Sequence, residues 1–312
     1  MAGAPPIAAI VGPTGAGKTD LALALARHTP VEILVADSRQ VYRGMDVGSA
    51  KPDAAARAAV PHHLLDLVAP GEPFTVAAWA VRARQLVSEI AGRGRLPLLV
   101  GGNGLYVAAL LDGYAFGSEP EPERRAQLHD ELAAVGVAAL ADRLRATDPD
   151  AASQIDLRNP RRVTRALERA AGGGAAASPP RQPWEGPVRL IGISRPTQAL
   201  NRRIDERARW LFENGLLEEV RMLLAAGHDP RRAPLTSHGY GEAARHLARE
   251  WSLDEAVAVT ALRTRQYAKR QRTWFRRDPR IAWLEAGELP GDDPALVKEA
   301  LRLVAPLVGE GS

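Results

Sequence analysis

The chain has 312 residues, enough to bury a large core and, as a soft prior, to form about two domains. With 46% hydrophobic and 25% charged residues it has the balance of a globular enzyme, and a net charge of +4 is by itself weak evidence for a polyanionic partner. The lack of cysteine excludes disulfide frameworks, thiolate catalysis and Cys-ligated zinc, and no apolar run approaches the roughly 20 residues of a membrane span. The start Met1-Ala2-Gly3-Ala4-Pro5-Pro6 has no basic and apolar leader, so a cytoplasmic location with no membrane contact is expected.

An apolar strand is expected from Ile7 to Val11, running into Gly12-Pro13-Thr14-Gly15-Ala16-Gly17-Lys18-Thr19 and then into a helical pattern, Asp20 to Ala26. This matches G-x-x-x-x-G-K-[ST] completely and in its proper strand, loop and helix context. Gly12, Gly15 and Gly17 let backbone N–H groups turn inward to form an anion nest. Lys18 adds a point charge, the Thr19 hydroxyl is placed to ligate Mg²⁺, and the following helix directs its positive end at the same anion. The loop specifies a phosphate or diphosphate without saying which.

Further strands are expected at Glu32 to Ala36, ending in Asp37-Ser38-Arg39-Gln40, and at Leu96 to Val100, ending in Gly101-Gly102-Asn103-Gly104 before a helix from Leu105 to Leu111. Alternating strands and helices imply an α/β fold with a doubly wound parallel sheet of the P-loop NTPase type. Its ligand cleft would gather the phosphate loop, Asp37 and Gly101 to Gly104. From Gly113 to Ala171 the pattern is helical, at Glu123 to Val135, Ala138 to Arg145 and Pro160 to Ala171. The Gly/Ala/Pro-rich stretch 172–183 reads as a hinge or linker, and Val188 to Ile193 resumes a strand. The economical organisation is a core of 1–112 and 186–312 interrupted by an all-helical insertion, 113–185. The last third is helical again, with Thr197 to Glu213, Leu217 to Ala226, Gly241 to Glu250 and a long helix from Leu253 to about Arg277.

That long helix carries a basic run: between Arg263 and Arg280 there are eight basic residues against one acid, with Tyr267, Trp274 and Phe275 interleaved. Such a cluster fits an RNA footprint, where cations meet phosphates and aromatics stack on unpaired bases, and equally a solvated face with its aromatics in the core. A second basic group, Arg161, Arg162 and Arg165, lies in the insertion. Asp37 can be read as a carboxylate near Mg²⁺, as a general base or as a turn cap, with Gln40 suited to a base edge. His62 and His63 point in different directions with no third ligand nearby, so a structural or gating role is expected rather than a metal pair.

Together these pieces resemble one family. Gly12 to Thr19, the segment Asp37 to Pro52, Pro61-His62-His63-Leu64-Leu65-Asp66, Gly101 to Tyr106, Arg165-Ala166-Leu167-Glu168 and Gln266 to Phe275 are similar, in order, to the motifs of bacterial tRNA dimethylallyltransferases. The resemblance implies transfer of a dimethylallyl group from dimethylallyl diphosphate to N6 of adenosine 37 beside the tRNA anticodon. The loop would then hold a prenyl diphosphate, although such loops are commonly described as ATP-binding. It implies Asp37 as the base, and the loop N–H groups, Lys18, Mg²⁺ held through Thr19, and Arg203 as the groups meeting the leaving charge. Ser38, Arg39 and Gln40 would hold the flipped-out adenosine. Arg125 and Arg161-Arg162-Val163-Thr164-Arg165 would touch the anticodon stem-loop, with the enzyme acting as a monomer. One position departs from the pattern: Asn103 stands where the family usually has Thr, near diphosphate and tRNA, and an Asn amide can still donate to an anionic oxygen. The rival readings are a P-loop small-molecule kinase, which leaves the Arg-rich elements unexplained, and a non-catalytic RNA-binding protein, which leaves the loop and Asp37 idle.

Overall fold

The computed structural model describes residues 3–114, 122–171 and 181–308. They divide into two compact units, Met1–Gly113 with Pro183–Ser312, and Tyr114–Gln182. Apart from its last three residues, the expected linker at 172–183 lies outside the described residues. Among the described residues, no helix is long and apolar enough to cross a membrane.

The larger unit is built on six parallel strands: β1 (Ile7–Val11), β2 (Val31–Ala36), β3 (His62–His63), β4 (Leu96–Gly101), β5 (Val188–Ser194) and β6 (Ile281–Glu285), in the order β3-β2-β4-β1-β5-β6. β1, β2 and β4 are buried along their whole length, which is why they read as continuous apolar runs and not as alternating ones. In register, Ile10 lies beside Val100 on one side and Ile191 on the other. These three side chains, with Ala8, Ile33, Val35 and Leu98, pack against Leu21 and Leu25 of α1 (Lys18–Ala26) and Leu296, Val297 and Val304 of the last helix, Pro294–Val304. Each fully buried aliphatic side chain contributes about 1.5–3 kcal/mol, so the strand ends that carry the site sit on a stiff base.

Between β2 and β4 come α2 (Ala54–Ala59) and α3 (Val76–Gly92), and α4 (Gly104–Leu111) follows β4. Trp79 of α3 is fully buried and its Nε1 donates to Val35 O at 3.2 Å. The smaller unit contains α5 (Pro122–Thr147), broken at Gly136, α6 (Pro149–Ser153) and α7 (Pro160–Ala171). They share a core that includes Leu128, Leu140, Leu144, Val163 and Leu167. Back in the larger unit run α8 (Thr197–Glu213), α9 (Leu216–Ala225), α10 (Tyr240–Leu247) and α11 (Leu253–Phe275), before the final helix, α12. A reciprocal capping box between Ser252 and Glu255 starts α11. The strands β3 and β6 and the helices α2, α3, α6 and α12 extend the architecture beyond the elements expected from the sequence.

Candidate active site

The strands deliver their carboxyl ends to one cleft of about 520 Å³, a size suited to a small organic ligand. The phosphate loop forms its floor. Gly12 has φ +142°, and a Cβ there would stand 2.9 Å from Ile193 O of β5, so only glycine lets the loop leave the sheet at this point. Thr14, Gly15, Gly17, Lys18 and Thr19 line the cleft, while Gly12, Pro13 and Ala16 form the buried frame beneath. Lys18 Nζ donates to Pro13 O at 2.8 Å. Desolvation in the cleft holds its ammonium down to about 8, against the opposing pull of Asp37.

Asp37, at the end of β2, lines the same cleft. Its Oδ1 accepts the Arg39 N–H at 2.7 Å, so the turn-capping role is present beside any chemical one. Burial pushes this carboxyl above the ordinary range, only partly offset by the Arg39 hydrogen bond and the charges of Arg39 and Lys18. Gln40 also lines the cleft, but its Nε2 is directed to Ser49 O (3.1 Å) and Ala50 O (3.3 Å), bracing the following loop and leaving Oε1 for a ligand. Ser38 and Arg39 lie in the turn and outside the cleft wall. Asn103 is the N-cap of α4, its Oδ1 accepting Leu105 N–H at 3.2 Å, which leaves its Nδ2 as the donor for an anion. Arg203 of α8 donates through Nε to Gly15 O at 3.0 Å while lining the cleft.

Several residues here escaped the sequence reading. Gln271 of α11 is buried and hydrogen-bonded to two loops: its Oε1 accepts Thr14 N–H at 2.9 Å and its Nε2 donates to Gly102 O at 2.8 Å. The signal was available, because Gln271 falls on the inward stripe of α11 with Ala261, Ala268 and Phe275, and a polar residue on a buried stripe needs partners. Arg207 and Trp210, one and two turns along α8 from Arg203, continue the cleft wall, and Tyr267 of α11 faces them. Burial, with Asp37 nearby, pushes the Tyr267 phenol up to about 12.

The loop from Val41 to Pro52 is held from outside. Glu219 of α9 is buried; its carboxylate accepts the N–H groups of Asp46 (2.8 Å), Val47 (2.6 Å) and Gly48 (3.2 Å) and the Tyr240 hydroxyl (2.5 Å). Lys51 bridges Tyr42 O and Asp46 at 2.6 Å each and Asp66 at 2.5 Å, and Arg43 donates to Leu67 O at 2.9 Å. These charged residues therefore brace the loop. His63 pairs with Glu32 at 2.7 Å, a carboxylate shared with Arg93, and His62 lines the cleft with Nδ1 at 2.8 Å from Val60 O.

The basic helix divides into two populations. Arg263, Arg265 and Arg280 pair with Glu242, Asp205 and Asp112, Arg272 donates to the Thr197 hydroxyl at 2.8 Å, and Phe275 is core, as the bland reading of this run expects. Lys269, Arg270, Arg276 and Arg277 are exposed with no carboxylate partner among the described residues. Within the smaller unit, the buried carboxylate of Glu168 pairs with Arg125 (3.5 Å) and Arg165 (3.0 Å), while Arg161 and Arg162 stand exposed at the start of α7. Thr164 bonds back to Pro160 O at 2.9 Å. Val163 corrects the expectation of tRNA contact: its side chain is fully buried in the core of the unit, so it holds the helix and presents nothing to a ligand.

Among the described residues, no group of three or more His, Cys, Asp or Glu could form a metal cage. The oxygen donors at the loop, the exposed Thr19 hydroxyl with Asp20 and Asp37 on the same cleft wall, nevertheless fit a hard divalent cation that takes most of its ligands from phosphate and water.

The IPP transferase family model matches residues 40–278, and an isopentenyl transferase model matches residues 5–60. A tRNA dimethylallyltransferase of a Nocardioides species is 45% identical over 96% of this chain and 96% of its own length; that of Syntrophobacter fumaroxidans is 42% identical over 94% and 87%. The crystal structure of the full-length tRNA isopentenylpyrophosphate transferase from Bacillus halodurans superposes with a TM-score of 0.72 at 37% identity, covering 98% of this chain and 97% of that one. By its matched length and by these relatives, the chain belongs to the IPP transferase family.

Proposed function

We propose that this enzyme transfers a dimethylallyl group from dimethylallyl diphosphate to N6 of adenosine 37 in tRNA. The observation that carries the reading is one cleft lined by both the phosphate loop with Lys18 and the carboxylate of Asp37, beside the aromatic face of the basic helix at Tyr267. Membership of a transferase family removes the reason for the kinase alternative, which rested on the loop alone.

Adenine N6 is a weak nucleophile because its lone pair is delocalised into the ring. As N6 attacks carbon 1 of the prenyl group, the N–C bond forms and the C–O bond to diphosphate breaks, with its electron pair leaving on oxygen. Asp37 takes the N6 proton, a task helped by a carboxylate whose proton affinity has been raised by burial. Negative charge growing on the leaving group is met by the loop N–H groups, Lys18 and Arg203, all fixed before the reaction begins. When bound, Mg²⁺ supplies further neutralisation of that charge, and Thr19 is the residue that would hold it. The target base must leave its stack to enter the cleft; Gln40 Oε1 is free to bond its edge, and Tyr267 offers a face for stacking. The exposed Arg161 and Arg162, with Arg125, Thr164 and Arg165 beside them, are assigned to the RNA backbone.

We also take the enzyme to act in the cytoplasm as a monomer, which light scattering on a gel-filtration peak checks for the second point. The deciding experiment is to incubate the protein with unmodified tRNA carrying adenosines 36 and 37, Mg²⁺ and dimethylallyl diphosphate, and to weigh the RNA. A gain of one prenyl unit supports the reading. An unchanged mass, with or without RNA binding, sinks it.

A further inference from the structure

Three carbonyls of the phosphate loop are each held by a cation. Lys18 Nζ takes Pro13 O at 2.8 Å, Arg203 Nε takes Gly15 O at 3.0 Å and Arg195 Nε takes Ala16 O at 2.8 Å. Each contact holds a loop peptide plane in one orientation and with it the neighbouring N–H, so these contacts fix the donors of the anion nest. Lys18 and Arg203 reach into the cleft themselves, but Arg195 is absent from its lining and only 3% exposed.

Arg195 follows β5 directly, and its guanidinium works as a bolt behind the loop. Nη1 donates to Gly287 O at 2.9 Å, in the segment between β6 and α12. Nη2 is buried without a hydrogen-bond partner among the described residues and lies 3.3 Å from the place a Cβ on Gly17 would occupy. Gly291 of the same segment packs its Cα 2.9 Å from that place, so the loop is pinched between the cleft in front and Arg195 with the 287–291 segment behind. The carboxylates acting on Arg195, those of Glu288 and Asp20, are opposed by the charge of Arg203. Keeping an incompletely satisfied cation out of water is unfavourable in the empty protein and becomes less so when an anion settles on the other side of a single layer of backbone. That difference is available to strengthen anion binding.

We propose that Arg195 is a positioning residue for the diphosphate end of the substrate, acting through the peptide plane that joins Ala16 to Gly17 and through its charge behind the loop. The proposal rests on the reading that the loop binds a diphosphate, and it assigns Arg195 no contact with substrate. Its signature is a loss confined to the diphosphate side of the reaction. Arg195→Met keeps the apolar stem and removes every donor; Arg195→Lys keeps the charge on a single donor nitrogen.

The test is calorimetric titration of the full chain with inorganic pyrophosphate in Mg²⁺, with steady-state KM for both substrates and thermal midpoints for each variant. Arg195→Met is expected to weaken pyrophosphate about tenfold or more, the scale of one charge-assisted hydrogen bond, and to raise KM for the prenyl diphosphate in step. KM for tRNA stays within about twofold, and Arg195→Lys recovers part of the lost affinity. A lowered melting point with unchanged pyrophosphate affinity would make Arg195 a structural brace only and overturn the proposal, as would equal losses for both substrates. Should Arg195→Met fail to fold, the same comparison is made between Arg195→Lys and the parent, with no change in pyrophosphate affinity counting against it. A parent protein that binds pyrophosphate but prenylates no RNA would sink the proposed function and leave this inference standing.

Discussion

The pH dependence of the reaction should expose the two charges that face each other across the cleft. Lys18 is held down to about 8, chiefly because it is withdrawn from water, so its protonated form is lost as pH rises through that value. At pH 9 about one enzyme in ten still carries the ammonium, and if only that form captures the diphosphate, kcat/KM falls about tenfold per unit above the break. Asp37 acts on the other limb. Its carboxyl is raised, and the base must be ionised, so activity falls as pH drops through that raised value. The assay is kcat/KM for dimethylallyl diphosphate at saturating tRNA, from acid to about pH 10, after dividing out the ionisation of the substrate itself. A bound diphosphate stabilises the ammonium, so kcat at saturation should hold its plateau to higher pH than kcat/KM does. Lys18→Arg should carry the alkaline limb out of range, since guanidinium does not deprotonate there. A profile of kcat/KM that stays flat well beyond 9, or a kcat that falls in parallel with it, would refute the account of Lys18.

Replacing Asp37 by Asn should lower kcat by roughly 10² to 10⁴-fold, the usual worth of a general base, and leave tRNA affinity within a few-fold; lost affinity with little loss of kcat would make the residue a binding group. Glu219→Ala removes the acceptor of three backbone N–H groups and the Tyr240 hydroxyl, and should destabilise the fold by about 3–5 kcal/mol in urea titrations. Asn103→Ala should lose about 1 kcal/mol of stability as a cap is removed, whereas Asn103→Thr keeps a capping oxygen and should move the melting point little. Any change in prenylation by Asn103→Thr then reports on the ligand, and its complete absence argues against a contact there. Arg161→Ala and Arg162→Ala should each weaken tRNA binding and reduce the slope of log affinity against log salt by about one; an unchanged slope would remove them from the interface.

Much of this cleft could be read from the chain because its parts are local. The phosphate loop depends on eight consecutive residues between a strand and a helix, and Asp37 follows a strand whose burial is written as an apolar run. What could not be read depends on distant pairing. β3 has two residues and β6 is an edge strand directly after the basic run, so neither offers a long pattern. The helix α2 has no buried residue and hence no apolar stripe, whereas α3 carries one, Trp79, Ala83, Val87 and Ile90, diluted by alanines on its other faces. The functions of Gln40, Lys51 and Arg195 were hidden for a different reason. Their partners are backbone carbonyls in part, and a carbonyl leaves no trace in residue type.

The same fact explains how a cleft assembled from loops can be stiff. Loops that meet at strand ends bring unpaired backbone groups with them, and each must be satisfied before the site can hold one geometry. Here the partners are supplied by helices remote in sequence: Gln271 on α11 joins Thr14 to Gly102, Glu219 on α9 gathers the N–H groups of 46–48, and Arg203 on α8 takes Gly15 O. The helix that carries the exposed Lys269 and Arg270, α11, is therefore also the helix that fixes the spacing between the phosphate loop and the α4 turn. Gln271, a buried amide, ties that helix to the Thr14 and Gly102 peptides. Replacing that amide by an apolar isostere leaves one donor and one acceptor unpaired in a buried place, which sets the two loops free of each other while the strands beneath them stay as they are.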